Sequence, residues 1–141
     1  MFDVAMLDTA ARSEEGVNFV VRNPTTGAQI SDKEGKPVTI RLMGSNSEKY
    51  RGVQRAIQAN VARLAGRDIK QTEEERRGDM EKLMCAVTVG WSFTELDGKP
   101  FPFTSENAKT LWGDKRWTWL LQMAFVFVNS EGNFLALSAA D

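Results

Sequence analysis

The sequence predicts an α+β fold, in which a small antiparallel β-meander near the N-terminus packs on a bundle of three to four helices. Two periodicities support this prediction. Apolar residues largely alternate with polar ones over residues 17–43, as in strands, and recur every three to four positions over residues 47–129, as in amphipathic helices. The chain has 141 residues, of which 42% are hydrophobic and 26% are charged, which suits one hydrophobic core. We therefore expect a flexible N-terminal arm over residues 1–16 and a single α+β domain over residues 17–141.

The predicted meander begins with a strand over residues 17–22 and includes another over residues 38–43. Between them, residues 23–27 and 32–37 are rich in Asn, Asp, Pro and Gly, a composition typical of turns. Residues 28–31 provide a short returning strand, so the meander has two or three strands. Because so small a sheet is only marginally stable alone, it must pack on helices.

The first two long helices follow this meander. One begins at an N-cap among residues 45–47 and ends at Gly66, whose position is typical of a left-handed C-terminal residue. The other begins after Thr72, with Glu75 at the spacing of a capping box, and its apolar stripe reaches Trp91. The arginines of the first helix are interpreted as a solvated face rather than a nucleic-acid site.

The last helical region carries the most apolar stretch of the chain. A helix starts with Thr104 or Ser105 as its N-cap, Gly113-Asp114 interrupts it, and a further helix begins near Asp114 and extends to about Asn129. This further helix has two apolar stripes, which means that it is buried on more than one side. The first stripe consists of Trp117, Leu120, Leu121, Ala124 and Val128, and the second consists of Trp119, Met123 and Phe127.

The second stripe must be covered either by the protein's own sheet or by another chain. We predict Trp119, Met123 and Phe127 as partner-binding residues, with Trp119 balanced between a core and an interface position. The other three tryptophans are expected in the core; they are Trp91, Trp112 and Trp117.

The residue types argue against catalytic chemistry. There is no histidine, and the single cysteine, Cys85, lies among apolar residues and is interpreted as a structural residue. Glu95 and Asp97 could act as paired carboxylates in acid–base catalysis or bind a hard cation, but the Asp-Gly sequence favours a tight turn. We predict no catalytic residue, no cofactor and no metal site.

Charge and hydropathy predict neither a nucleic-acid nor a membrane partner. Eighteen basic and nineteen acidic residues give a net charge of −1, so the strong positive field of a nonspecific nucleic-acid binder is lacking. The longest apolar run, residues 119–128, is much shorter than the roughly 20 residues of a membrane-spanning helix. The first residues also lack the basic and apolar regions of a secretory signal.

One segment resembles a known family. The pattern W-x(5)-DG-x-x-x-PFT-x-E-N begins at Trp91 and ends at Asn107; Asn23-Pro24-x-x-Gly27 precedes it, and a tryptophan-rich helix with Trp117 follows. With Tyr50-Arg51 and Phe134, this arrangement is similar to tail assembly chaperones of long-tailed bacteriophages. The resemblance spans roughly residues 17–135, and its specific part is the central pattern.

The resemblance implies a non-enzymatic protein in the cytoplasm of the infected bacterial host. Such proteins bind the tape-measure protein and bring the tail-tube protein to it, use no cofactor, and carry a frameshifted C-terminal extension in many relatives. Self-association is electrostatically permitted. There are two alternatives: a virion component, such as a head–tail connector or minor tail protein, which would use the same surface, and a host-directed inhibitor.

Overall fold

The computed structural model describes residues 9–135, and within this range it confirms the predicted α+β class. The α-helices are α1 (Ala10–Glu15), α2 (Glu48–Ala65), α3 (Glu73–Val87), α4 (Ser105–Gly113) and α5 (Thr118–Val128). The strands are β1 (Val17–Val20), β2 (Thr39–Leu42), β3 (Thr88–Trp91), β4 (Glu95–Leu96) and β5 (Lys99–Pro100). Short 3₁₀ helices lie at Lys115–Trp117 and Glu131–Phe134.

The main sheet has the order β1-β2-β3 and is antiparallel throughout, with Phe19 opposite Ile40. Its first two strands were predicted, but the third was wrongly placed: residues 28–31 contribute only isolated bridges, and β3 follows α3 instead. The apolar stripe of α3 runs on into β3 without a Gly or Pro at the boundary. The periodicity therefore predicted a helix that reaches Trp91, although the backbone adopts a β conformation from Thr88 onward.

The N-terminal arm was wrongly predicted as loose over residues 10–15, which form α1. Ser13 is buried, and its backbone oxygen accepts a hydrogen bond from the amide of Gly44 at 3.0 Å. The Glu14 carboxylate accepts from the amide of Glu48 at 2.7 Å, at the positive N-terminal end of α2. Six residues make a marginal helix alone, so these tertiary contacts explain its formation. Residues 1–8 of the predicted arm, and residues 136–141 of the predicted domain, lie outside the described residues.

Three of the predicted helix starts are confirmed, but the last helix begins at Thr118 rather than near Asp114, because a 3₁₀ turn over Lys115–Trp117 precedes it. Helix α2 ends at Ala65 with Gly66 as its C-cap, as predicted, but the predicted left-handed conformation of Gly66 is wrong. Thr72 accepts a hydrogen bond from the amide of Glu75 at 3.2 Å, as the capping box requires. Gly66 keeps a right-handed φ of −64°, whereas Asp68 has a φ of +58°. The amide of Ile69 bonds the Leu64 oxygen at 2.9 Å and that of Asp68 bonds the Ala65 oxygen at 3.0 Å, which is a Schellman motif. Aspartate tolerates the left-handed conformation, so the turn that closes α2 has its left-handed residue at Asp68 and not at the glycine.

Residues 43–45 lie next to one end of each of the three longest helices. The amide of Met43 bonds the oxygen of Val87 at the end of α3, at 2.8 Å, and the amide of Ser45 bonds that of Val128 at the end of α5, at 3.1 Å. Near the helix starts, the Arg77 guanidinium donates to the Thr118 hydroxyl. Helices α3 and α5 therefore run side by side in the same direction, and α2, which starts just after residue 45, runs opposite to both.

The core lies between the main sheet and helices α3, α4 and α5. Trp112 is completely buried there, as predicted, and its indole Nε1 donates to the hydroxyl of Thr88 at 3.0 Å. Trp91 and Trp117, which were also expected in the core, are only partly buried at its edge. The remaining fully buried large side chains come from the sheet and the three helices; they are Ile40, Leu42, Met84, Val87, Leu121 and Val128, together with Phe134.

Tyr50 joins the start of α2 to the end of α5 and gives the protein a pH-dependent contact. Its hydroxyl donates to Asn129 Oδ1 at 2.9 Å, and burial raises the pKa of the phenol above its ordinary value. The contribution of Tyr50 to stability is therefore complete below about pH 10 and is lost as the pH rises through the folded-state pKa. We expect wild type to lose more unfolding free energy than Tyr50→Phe between pH 8 and pH 11 in urea titrations. Equal losses in the two proteins would contradict this assignment.

Candidate functional site

An open apolar groove runs along the C-terminal half of α5. It measures about 450 Å³ and none of its lining residues is charged. The lining residues are Phe19, Gln122, Met123, Val126, Phe127, Ser130 and Asn133. We call it the α5 groove. Val126, one of these lining residues, is 64% exposed, more than any other large hydrophobic residue in the described part of the chain.

The second apolar stripe of α5 is partly covered by the protein's own sheet. The ring of Phe127 lies 5.1 Å from that of Phe19 on β1 and 5.8 Å from that of Phe134, measured between centroids. Met123 is partly buried beside it. The sheet therefore supports one side of the stripe, and the side with Met123 and Val126 is left open.

The three predicted partner-binding residues do not share one cavity. Met123 and Phe127 line the α5 groove together, whereas Trp119 lines a separate cavity of about 190 Å³ between the main sheet and the start of α5. There its ring lies edge-on to that of Trp117, with 6.5 Å between centroids. The binding role of all three residues stays a prediction, and the geometry places Trp119 apart from the open groove.

Val126 was missed by the sequence analysis, although it is the most exposed member of the groove. It falls on neither apolar stripe, so periodicity assigned it no role. The available signal was the composition of α5, in which only Thr118 and Gln122 are polar, so that no side of the helix is fully polar. Such a helix leaves an apolar residue on whatever side the fold does not cover.

The carboxylates Glu95 and Asp97 form a turn rather than a paired site. Asp97 and Gly98 have φ values of +54° and +76°, the conformation of the tight turn that joins β4 to β5. Asp97 receives a bidentate hydrogen bond from Arg116, at 2.8 and 3.3 Å, while Glu95 pairs with Lys33 at 3.3 Å. Across residues 9–135, no group of three or more potential ligands could hold a metal ion.

Arg116 connects this turn to the junction of α4 and α5. It also binds both carboxylate oxygens of Asp114, and this contact holds the pKa of Asp114 below its ordinary value. Its guanidinium lies over the ring of Trp117, 5.2 Å from the centroid. The segment that contains the resemblance pattern is thus a structural connector, fixed by ion pairs at one end and by aromatic packing at the other.

The aromatic packing centres on Trp91. Its ring is nearly parallel to those of Phe93 and Phe101, at centroid distances of 5.0 and 5.3 Å, and edge-on to that of Phe103 at 5.0 Å. The indole Nε1 donates to the backbone oxygen of Phe101 at 3.1 Å. These contacts hold the β4–β5 hairpin against the main sheet.

Cys85 is a partly buried thiol on α3. Burial raises its pKa, and the nearby carboxylate of Glu81 raises it further, while Lys109 acts in the opposite direction. A thiol with a raised pKa stays protonated at neutral pH and is a poor nucleophile. The environment of Cys85 therefore fits the structural interpretation.

The α5 groove is open and is lined mainly by apolar side chains. Within residues 9–135, no helix combines the length and the apolar character needed to cross a membrane. Comparison with known proteins gives no relative: no protein-family model, no curated protein and no solved structure matches the chain.

Proposed function

We propose that this protein is a non-enzymatic tail assembly chaperone of a long-tailed bacteriophage, and that it binds the tape-measure protein through the α5 groove. The observation that carries the proposal is the groove itself, which is uncharged and includes the exposed side chain of Val126. Exposed apolar side chains that line an open groove are a candidate binding site for another protein. In this proposal the chaperone acts in the cytoplasm of the infected host and helps bring the tail-tube protein to the tape-measure protein.

The chemistry of the groove supports a protein partner rather than a small polar ligand. Its walls are side chains of Phe19, Met123, Val126 and Phe127, and its polar residues are neutral. Methionine is flexible and adapts to different apolar side chains, while the phenylalanines, packed on one another, give a rigid wall. The resemblance in residues 91–107 adds independent support from the sequence.

Exchange of Val126 for lysine tests the proposal. We expect Val126→Lys to reduce the amount of coexpressed tape-measure protein that copurifies by about tenfold, equivalent to about 1.4 kcal/mol, because a charge would enter an apolar contact. Its effect on folding should stay within about 0.5 kcal/mol, since Val126 is exposed and a cation near the end of α5 suits the helix dipole. The measurement is affinity purification of the full chain, followed by size-exclusion chromatography and quantitative mass spectrometry.

The matched control is Val89→Lys, because Val89 is 42% exposed and lies on β3, outside the groove. It should copurify as much tape-measure protein as wild type. Failure of the wild-type protein to comigrate with the tape-measure protein would overturn the proposal. Its presence in purified mature virions would favour a structural component, and copurification with a bacterial protein alone would favour a host-directed inhibitor.

A further inference from the structure

Helix α2 is the longest helix within residues 9–135 and the one that the fold covers least. Only Tyr50 of its 18 residues is buried, whereas α3 buries three of its 15 residues and α5 buries four of its 11. Helix α3 is the one described element with which α2 makes extensive contact. The side of α2 that faces away from α3 is therefore exposed in the described part of the chain.

Four arginines lie along this exposed side. A step of four residues adds about 40° to one full turn of an α-helix and rises about 6 Å, so residues four apart form a row that winds slowly around the helix. One such row consists of exposed residues only; they are Arg51, Arg55, Ala59, Arg63 and Arg67. The first four span roughly 18 Å, and Arg67, in the turn that closes α2, extends the row by about one helical turn. We call it the arginine row.

The charges of the arginine row are not neutralised within the fold. No Asp or Glu occurs between residues 51 and 67; the carboxylates that flank this segment in the sequence are Glu48, in the first turn of α2, and Asp68. Arg51 and Arg63 donate to the neutral amide oxygens of neighbouring asparagines. None of the four arginines forms an ion pair in the part of the chain that the structure describes.

The arginine row therefore carries an electrostatic cost. Arg51 and Arg55 are four residues apart on one helix, and like charges at this spacing repel and weaken the helix. Arg63 and Arg67 repeat the same spacing at the other end of the row. Since the segment contains no carboxylate of its own, carboxylates of another molecule would relieve the repulsion at both ends.

The charge of the remaining protein favours a short acidic segment over a long polyanion. Residues 51–67 carry a charge of +4 and the whole chain −1, so the rest of the chain carries −5. This remainder would repel a nucleic acid, whereas a segment lying on the row interacts mainly with charges within about 10 Å at about 0.1 M salt. The row also has no aromatic side chain on which bases could stack and no large apolar side chain that could enter a membrane.

The residues beside the arginine row allow another helix to approach closely. They include Gly52 and Ala56 on one side and Ala62 and Gly66 on the other, all of them exposed. Two helices pack with their axes about 8 Å apart, the short end of the usual range, when the side chains between them are small. Successive positions of the row are about 6 Å apart, which is also the spacing of residues four apart on a facing helix.

We propose that the arginine row binds an acidic α-helix of a partner protein, in which Asp or Glu recurs every four residues. Its carboxylates pair with the two arginines at each end of the row, and its backbone passes over Ala59 in the middle. Arginine suits this role because its planar guanidinium binds a carboxylate through two parallel hydrogen bonds. No residue of the row lines the α5 groove, so this is a second contact surface that does not rest on the proposed function.

Fluorescence anisotropy with a synthetic peptide tests the proposal. The probe is a labelled alanine-based peptide of roughly 17 residues, the length of segment 51–67, with glutamate at every fourth position. The reference peptide has the same glutamates and a central proline, which interrupts the helix. We expect the full-length wild-type protein to bind the probe about fivefold more tightly than the reference, and to release it as salt is added.

Ala59→Glu is the most specific variant. The new carboxylate lies four residues from both Arg55 and Arg63 and pairs with them within the helix, so the protein should melt at the same temperature as wild type or higher. Its affinity for the probe should fall about tenfold, because the middle of the row then repels the partner's carboxylates. Ala59→Gln is the matched control: it has nearly the same size without the charge, and its affinity should stay within about twofold of wild type.

Removal of arginines gives a second, independent test. Arg51→Gln with Arg55→Gln should weaken binding of the probe about fivefold. Lys36→Gln with Lys99→Gln removes the same charge from exposed positions outside α2 and should change the affinity less than about twofold. Circular dichroism checks that each variant keeps its helix content.

Several outcomes would overturn the inference. Equal losses in the two Ala59 variants, or in the arginine and lysine double variants, would show that size or total charge explains the effect. Equal binding of the probe and the reference peptide would show that no helix is recognised. Tighter binding of a double-stranded DNA oligonucleotide or of phosphatidylserine vesicles would assign the row to a different anion. Because every readout uses a synthetic probe, the proposed function is tested separately by copurification of the tape-measure protein.

Discussion

Trp112→Ala is expected to lower the free energy of unfolding by about 3–5 kcal/mol, the largest effect of any single substitution considered for this protein. Trp112 is the largest fully buried side chain in the described part of the chain, and α4 presents it to the junction of α3 and β3. Alanine would leave a cavity among residues such as Met84 and Val87, whose backbone positions are fixed by helix and sheet hydrogen bonds. The cavity therefore cannot collapse fully. Chemical denaturation followed by circular dichroism measures the change.

Two companion variants separate packing from hydrogen bonding at this position. Trp112→Phe keeps most of the volume and loses the bond from Nε1 to Thr88, so it should cost about 1–3 kcal/mol, less than Trp112→Ala. Thr88→Val leaves the buried Nε1 of Trp112 without its acceptor, which should cost about 1–3 kcal/mol. If Trp112→Ala costs no more than Trp112→Phe, the side chain is not the packing centre that its burial indicates.

The importance of Trp112 could be predicted from the sequence, because it occupies an apolar position in a short, well-capped helix. The same local rules identified α3 through the capping box at Thr72 and the sheet through the alternation around Phe19 and Ile40. These features depend on residues that are neighbours along the chain. Local patterns therefore sufficed for the fold class and for most helix starts.

The features that were missed depend on contacts between distant segments. Helix α1 forms because Ser13 and Glu14 meet residues 44 and 48, and β3 forms because β2 offers it an edge. Nothing in the local sequence marks either partner. The same limitation explains the site: the stripe with Met123 and Phe127 was visible, but the exposure of Val126 depends on which side of α5 the sheet and α3 leave uncovered.

Gly44→Ala is the second large effect, with an expected destabilisation of about 1–3 kcal/mol from overpacking. A β-carbon built on Gly44 would overlap the hydroxyl oxygen of Ser13 and lie 3.0 Å from its β-carbon and 3.3 Å from Cδ1 of Phe134. Gly44 does not have a positive φ, so backbone strain adds nothing and the cost is purely steric. The backbone oxygen of Ser13 accepts a hydrogen bond from the Gly44 amide, which holds Ser13 close to Gly44, and the ring of Phe134 packs against that of Phe127. Neither neighbour therefore moves freely. The change should appear in thermal and urea unfolding.

Three further measurements test the steric origin of this effect. Gly78→Ala, inside α3 with open space around the added carbon, should stabilise the protein by about 0.5–1 kcal/mol through helix propensity. Ser13→Gly combined with Gly44→Ala should cost less than the sum of the two single substitutions, since the glycine removes the atoms that clash.

Because the overlap also pushes on Phe134, Gly44→Ala should weaken tape-measure copurification without any change on the groove surface. Additive costs in the double variant would show that the junction of α1 with residue 44 is looser than its distances indicate, and that the support of the α5 groove does not pass through it.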